Sequence, residues 1–224
     1  MSRFKGPKNE MPEGEGTWAM LNTRLFGSNL MGGHSVAPRP EALPVDWAEV
    51  FGREAPRALE IGFNRGGFLR DIAAAWPDHD HVGIEIRRRY VWHFANTAAE
   101  EGGPLNVRVV WADARLVAPA VFGEGTLDAV FVNFPDPWWK RKHTKRRLVD
   151  EGFAQSLRAL LAPGGRVYVK SDVPMIADEI RDALATALVG PTPFDEALLP
   201  LTYRERKCIR QGLPITRFWF SRPE

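Results

Sequence analysis

The sequence holds one cysteine, Cys208, in 224 residues. It cannot close a disulfide within the chain, and it has no second thiol with which to build a structural zinc site. A reducing compartment suits such a chain. Long apolar runs are also missing. No stretch approaches the roughly 20 apolar residues that a membrane-spanning helix needs. The opening residues Met1, Ser2, Arg3, Phe4, Lys5 and Gly6 lack the apolar core of a secretory signal. The protein is therefore expected to be soluble and cytoplasmic, with no membrane partner. Charge of one sign is scarce too: 30 basic residues against 28 acidic ones leave a formal net charge of +2. That excludes a polycation binding nucleic acid by bulk charge and leaves the task to local clusters. Internal repeats and low-complexity tracts are absent.

What is present is enough apolar material, 44% of residues, for one substantial core. Residues 1–45 are rich in glycine, proline and polar types without a sustained period, which predicts a partly ordered polar leader. Trp18, Met20, Leu21 and Phe26 are its candidate anchors. Residues 46–224 are expected to form the main domain. From Arg57 onward short apolar runs alternate with amphipathic stretches, the pattern of βα units around a mostly parallel sheet. Buried parallel strands are predicted over residues 58–62, 81–86, 107–112, 127–133 and 166–170. Helices are predicted over 67–76, 88–101, 150–161 and 175–188, the third of them ended by Pro163-Gly164-Gly165. Aromatic and β-branched residues at 201–205 and 216–221, around Gln211-Gly212-Leu213-Pro214, predict a terminal antiparallel hairpin.

The run Leu59-Glu60-Ile61-Gly62-Phe63-Asn64-Arg65-Gly66-Gly67-Phe68 ends a strand, turns through glycines and enters a helix. Ligands bind in the crevice beyond such strand ends, and Gly62 and Gly66 would let one approach the backbone closely. Glu85 ends the second strand, where a carboxylate can accept hydrogen bonds from ribose hydroxyls. Asp113 follows the third, in reach of an adenine base. Any one of these acids could be a polar residue that merely ends a strand; the three together with the glycine loop favour a nucleoside site. The loop lacks a clean dinucleotide fingerprint, and an acid as early as Glu60 would repel a pyrophosphate. A cationic sulfonium nucleoside, S-adenosylmethionine, fits better.

Asn133-Phe134-Pro135-Asp136-Pro137-Trp138-Trp139-Lys140 follows the fourth apolar run and so lies at the same sheet edge. Two prolines stiffen the loop and hold the Asp136 carboxylate in a defined place. The aromatic rings beside it could stack on a base, or could simply pack on the core. Immediately afterwards come Lys140, Arg141, Lys142, His143, Lys145, Arg146 and Arg147. Such a run is usually a solvated face, but beside a reaction centre it could position an RNA backbone through phosphate contacts.

Pro135-Asp136-Pro137-Trp138 followed by Lys140, His143 and Lys145-Arg146-Arg147-Leu148-Val149 resembles the signature of the bacterial tRNA (guanine-N7)-methyltransferases, the TrmB family. Glu60-Ile61-Gly62-Phe63, Gly83-Ile84-Glu85, Pro163-Gly164-Gly165, Ser171-Asp172 and Thr202-Tyr203-Arg204-Glu205 fall in the family's order. The resemblance spans residues 57–222. It implies the class I S-adenosylmethionine-dependent methyltransferase fold, Rossmann-like, and methyl transfer to N7 of a guanine in the variable loop of tRNA. It implies that Glu60, Glu85, Asp113 and Asp136 line the cofactor pocket, that Lys140, Asp172 and Thr202 through Glu205 hold the guanine, and that Lys142, His143, Lys145, Arg146 and Arg147 meet the RNA. Asn64 stands where the family usually carries glycine, and asparagine tolerates a left-handed backbone; Ser171 replaces the usual threonine and keeps its hydroxyl.

Guanine N7 carries a lone pair and no proton, so its methylation calls for alignment rather than a general base. No metal is implied. Asp136 could stabilise the developing purine cation or hold the guanine edge, and Asp172 and Glu205 could accept from the same edge. Asp172 could equally be a helix N-cap. The competing readings are a methyltransferase of the same family acting on another RNA or a small purine-like heterocycle, and an RNA-binding relative without catalysis.

Overall fold

The computed structural model describes residues 43–101, 103–137 and 148–224. The leader anchors Trp18, Met20, Leu21 and Phe26, the loop residues Trp138 to Lys140 and the whole basic run to Arg147 lie outside the described residues. The elements are α1 (Trp47–Phe51), β1 (Arg57–Ile61), α2 (Gly67–Ala75), β2 (Asp80–Glu85), α3 (Arg88–Glu101), β3 (Val107–Trp111), α4 (Ala114–Val121), β4 (Leu127–Asn133), α5 (Glu151–Leu160), β5 (Leu161–Ser171), α6 (Pro174–Ala185), β6 (Val189–Pro193), α7 (Tyr203–Arg210) and β7 (Thr216–Ser221). They build one seven-stranded sheet in the order β3-β2-β1-β4-β5-β7-β6. Strands β1 to β5 run parallel, and β7 runs antiparallel to both β5 and β6.

The central strands β1 and β2 are buried along their whole length, because helices cover both faces of a parallel sheet. That is why their apolar runs are continuous rather than alternating. The turn from β1 into α2 depends on Gly66, which has φ of 74° and caps the helix. A Cβ there would sit 2.1 Å from the Phe94 ring, so no larger residue fits. Asn64 is left-handed as well, at φ 53°, which is the conformation its short polar side chain tolerates.

Three sequence expectations change in the structure. Residues 201–205 do not form a hairpin arm: the partner of β7 is β6, and the segment opens α7 instead. Thr202 accepts a hydrogen bond from the Glu205 amide while Glu205 reaches back to the Thr202 amide, a capping box that commits the backbone to a helix. Pro163-Gly164-Gly165 lies past the end of α5, inside the first half of β5. Gly165 is needed there because a Cβ would come within 2.8 Å of the carbonyls of Ala162 and Leu127. Helices α1 and α4 add to the predicted elements. Asp46 caps the short α1, Trp47 donates to the Val121 carbonyl at 2.9 Å, and its ring stacks on Phe122. Leu43 and Val45 pack against the same core. Among the described residues no helix is long and apolar enough to cross a membrane.

At the end of the sheet away from the strand C-termini, His81 is buried with its Nε2 facing the Trp76 carbonyl at 3.1 Å and its Nδ1 without a partner among the described residues. Burial lowers its pKa from 6.5 to about 4, since the charged imidazolium cannot be solvated there. Between those values the unfolded chain binds a proton that the native state does not, so this histidine makes stability fall as pH falls through that window. Wild type should lose roughly 3 kcal/mol relative to His81→Leu between pH 6.5 and 4, since each tenfold change in proton affinity is worth about 1.4 kcal/mol. Urea unfolding of both proteins across that range checks it; parallel pH profiles would refute it. The comparison cancels contributions common to both, including that of Glu60.

Candidate active site

A cleft of about 1130 Å³ opens at the C-terminal ends of the parallel strands, where the sheet order reverses direction from β1 to β4 and loops diverge to either side. Its walls are built strand by strand. Glu60 and Gly62 come from β1 and the turn after it, Glu85 from the end of β2, and Asp113 from the residues after β3. Asn133 ends β4 and Phe134, Pro135 and Asp136 follow it, Asp172 follows β5, and Thr202 precedes α7. Residues from five strands and one helix cap, spread over more than half of the chain, thus meet in one cavity.

Glu60 is 3% exposed. Its Oε1 accepts from the Asn133 side chain at 3.1 Å, and its Oε2 is buried without a partner among the described residues. Burial pushes its carboxyl up to about 8 against the opposing pull of the Asn133 hydrogen bond, so near neutrality it holds a proton until a cation is placed beside it. Glu85 is better satisfied: Oε2 accepts from the Asn64 amide at 3.0 Å and Oε1 from the Arg87 amide at 2.7 Å. Burial nevertheless raises its carboxyl, with those two amides acting in the other direction. The left-handed Asn64 is what turns its N–H toward Glu85, which ties the glycine-rich turn to the end of β2.

The remaining acids carry arginine partners within the cleft. Asp113 caps α4 by accepting from the Arg115 amide at 3.1 Å, and the Arg115 guanidinium lies 3.5 Å from it. Asp136 accepts from Arg87 at 2.7 Å across the cleft mouth. It is held between Pro135 and Pro137 after Phe134, which is left-handed at φ 49°. Asp172 accepts from Arg204, through Nε at 3.0 Å and through Nη2 as well. It does not cap α6, whose N-cap is Val173 without a side-chain bond.

Glu205, expected at the guanine, does not line the cleft and has no exposed side-chain surface. Its Oε2 accepts from Lys170 at 2.8 Å and from the Thr202 amide at 3.2 Å, and its Oε1 from Arg217 at 2.7 Å. Lys170 is itself fully buried and donates its next bond to the Pro200 carbonyl. Burial lowers the lysine pKa and Glu205 opposes that shift. Gly66 also stays out of the cleft wall and acts beneath it as the cap of α2. Tyr203 and Arg204, from the segment expected at the guanine, do line the cleft, and Asn133 and Arg87 join it without having been assigned a role from sequence. The basic triplet Arg87-Arg88-Arg89, which begins two residues after Glu85, is a visible signal for Arg87; nothing local marks Asn133 as the partner of a residue on another strand.

The family model described as "Putative methyltransferase" matches residues 54–218. A tRNA (guanine-N(7)-)-methyltransferase of Saccharophagus degradans is 38% identical over 186 residues, covering 80% of this chain and 81% of that one. The tRNA (guanine-N(7)-)-methyltransferase of Anaeromyxobacter dehalogenans is 41% identical over 189 residues, covering 81% and 93%. Among solved structures, the antibiotic-resistance methyltransferase Kmr superposes with a TM-score of 0.58 at 18% identity over 87% of this chain and 97% of that one. The aminoglycoside resistance methyltransferase NpmB1 does so at 0.57 and 17%, over 84% and 95%. These two likenesses bear on the fold, which is that of the class I S-adenosylmethionine-dependent methyltransferases. With the family model spanning most of its length and relatives above one third identity over four fifths of it, the chain belongs to the family of the tRNA (guanine-N(7)-)-methyltransferases.

Proposed function

We propose that this protein transfers a methyl group from S-adenosylmethionine to N7 of a guanine in tRNA, acting in the cytoplasm through a catalytic unit of residues 46–224. The observation that carries this reading is the convergence of Glu60, Glu85, Asp113 and Asp136 on one cleft, beside a sequence run rich in lysine and arginine. The residues fit a cationic nucleoside. Glu60 offers a buried oxygen with no partner among the described residues, which suits an ammonium group, and Glu85 has lone pairs left over for two ribose hydroxyls. Asp113 stands where an adenine amino group would be met. Gly62 and Gly66 shape the turn over which the donor lies.

S-adenosylmethionine, when bound, supplies an electrophilic methyl on a positively charged sulfur. The protein's part is then alignment and electrostatics. Asp172, Thr202 and Lys140 would hold the guanine with its N7 lone pair turned toward the donor. Transfer to N7 would place positive charge on the purine with no proton to be removed, so these residues have only to orient the base and to face that charge. Asp136, stiffened by its two prolines, faces that growing charge. Lys142, His143, Lys145, Arg146 and Arg147 grip the RNA backbone, and Glu205 serves from behind by fixing α7.

The test is incubation of the full chain with unmodified tRNA and the methyl donor, followed by nucleoside mass spectrometry. N7-methylguanosine should appear in tRNA and not in free guanosine supplied instead. Methylation confined to the free nucleoside, or none at all, would sink the reading.

A further inference from the structure

Helix α7 carries a surface that begins at the wall of the acidic cleft and continues beyond it. Tyr203, Arg206, Lys207 and Arg210 stand at i, i+3, i+4 and i+7, so they share one face. It is the face opposite the buried Glu205 and Cys208. Tyr203 is 75% exposed, an unusual place for a large aromatic ring. Among the described residues the one acid that Arg206 reaches is Asp71, at 3.6 Å, with both side chains half-exposed. Lys207 and Arg210 pair with no acid among the described residues. The helix has a single acid, Glu205, and that charge is already engaged by Lys170 and Arg217 in the interior. The outer face is therefore purely cationic in a chain whose formal net charge is only +2.

The place of this face decides what it meets. Tyr203 and Arg206 also form part of the cleft wall, and Arg210 stands about 10 Å further out along the helix axis, at 1.5 Å per residue. The stripe thus starts at the cleft mouth and leads away from it. A base delivered into a cleft leaves its stack, and its neighbours along the strand remain at the mouth. Those neighbours present flat rings and phosphates. An exposed aromatic ring flanked by three cations matches both, since a ring stacks on any base and cations neutralise phosphates. An acidic protein partner would engage the cations but leave Tyr203 without a purpose. The capping box and the buried Lys170–Glu205–Arg217 bonds hold the helix rigidly to β5 and β7, so the stripe is preorganised.

We infer that α7 is a second RNA-contacting surface, with Tyr203 stacking on a nucleotide next to the target and Arg206, Lys207 and Arg210 binding the adjoining phosphates. This rests on the reading of the protein as a tRNA methyltransferase. The test uses the full chain and unmodified tRNA, with affinity measured by fluorescence anisotropy at salt concentrations from about 50 to about 300 mM. Lys207→Gln/Arg210→Gln should flatten the slope of log affinity against log salt by about 1.5, because each lost phosphate contact removes roughly 0.7–0.9. Calorimetric affinity for S-adenosylhomocysteine should not change in that variant. Tyr203→Ala should lose about ten-fold in tRNA affinity at fixed salt, while Tyr203→Phe retains it. A wild-type slope in the double variant, or wild-type affinity in Tyr203→Ala, overturns the inference even though wild type still methylates tRNA. Failure of wild type to methylate tRNA would instead remove the reading beneath it.

Discussion

Replacing Glu205 with alanine should destabilise the protein by about 3–5 kcal/mol, the usual cost of breaking a buried ion pair from one side. Lys170 is the reason. Its side chain has no exposed surface, and without Glu205 its ammonium keeps the Pro200 carbonyl and the face of the Phe68 ring but has no acid bonded to it among the described residues. Arg217 retains Glu196, at 3.7 Å, so the loss falls mainly on the lysine. The same change deletes half of the capping box, leaving the Thr202 amide without its acceptor. Glu205→Gln separates these effects, for its amide oxygen still accepts from Thr202 while the negative charge is gone. It should fall between wild type and Glu205→Ala. The penalty in both variants should ease as pH rises, because an unpaired Lys170 can shed its proton. In Glu205→Ala the lysine sheds its proton at lower pH than in wild type, since burial lowers its pKa and the opposing pull of Glu205 is gone. Guanidinium unfolding at neutral and alkaline pH measures this. A loss below about 1 kcal/mol in Glu205→Ala, the range of an exposed pair, would mean that the carboxylate is not what pins α7.

What sequence alone can reach follows from which forces act locally. The five parallel strands are legible because a strand covered on both faces is apolar at every position, and β1, β2 and the inner part of β4 are buried in this way. The acids Glu60, Glu85, Asp113 and Asp136 are legible because each lies at or just beyond the C-terminal end of such a run. Their meeting in one cleft then follows from the parallel direction of the strands. Residues 201–205 point to a strand because tyrosine and threonine favour strands, whereas the decisive bond is the reciprocal one between Thr202 and Glu205, only three residues apart. That signature is present in the sequence and outweighs propensity. The pairings of Arg87 with Asp136, 49 residues away, and of Lys170 with Glu205, 35 away, have no local trace. Periodicity reports the face a residue occupies on its own element and says nothing of which side chain arrives from another. A lysine at the end of the apolar Val167-Tyr168-Val169 stretch of β5 is the one hint that a buried countercharge has to exist.

The other large effect expected is on rate. Asp136→Ala should lower turnover on tRNA by at least about 10²–10³-fold, the range for removing one preorganised group from developing charge, while leaving the fold intact. Both parts follow from its position. The side chain is 56% exposed and its only bond among the described residues is to Arg87, itself 44% exposed, so a pair of this kind adds about 1 kcal/mol or less to stability. The loop does not need the carboxylate for its shape, because Pro135, Pro137 and the left-handed Phe134 set it, and Phe134 donates its amide to the Lys170 carbonyl at 2.7 Å. The charge is therefore free to act on the reaction. In Asp136→Asn the side chain keeps its size and one accepting oxygen but carries no charge. If the carboxylate works by stabilising the purine cation, Asn should be nearly as slow as Ala; if it works by accepting from the guanine edge, Asn should recover a large part of the rate. Single-turnover kinetics with saturating donor distinguishes the two, with thermal unfolding as the check on folding. A wild-type rate in Asp136→Ala would remove this carboxylate from the chemistry and leave the arginine-paired Asp172 as the acid in the cleft best placed to face the guanine.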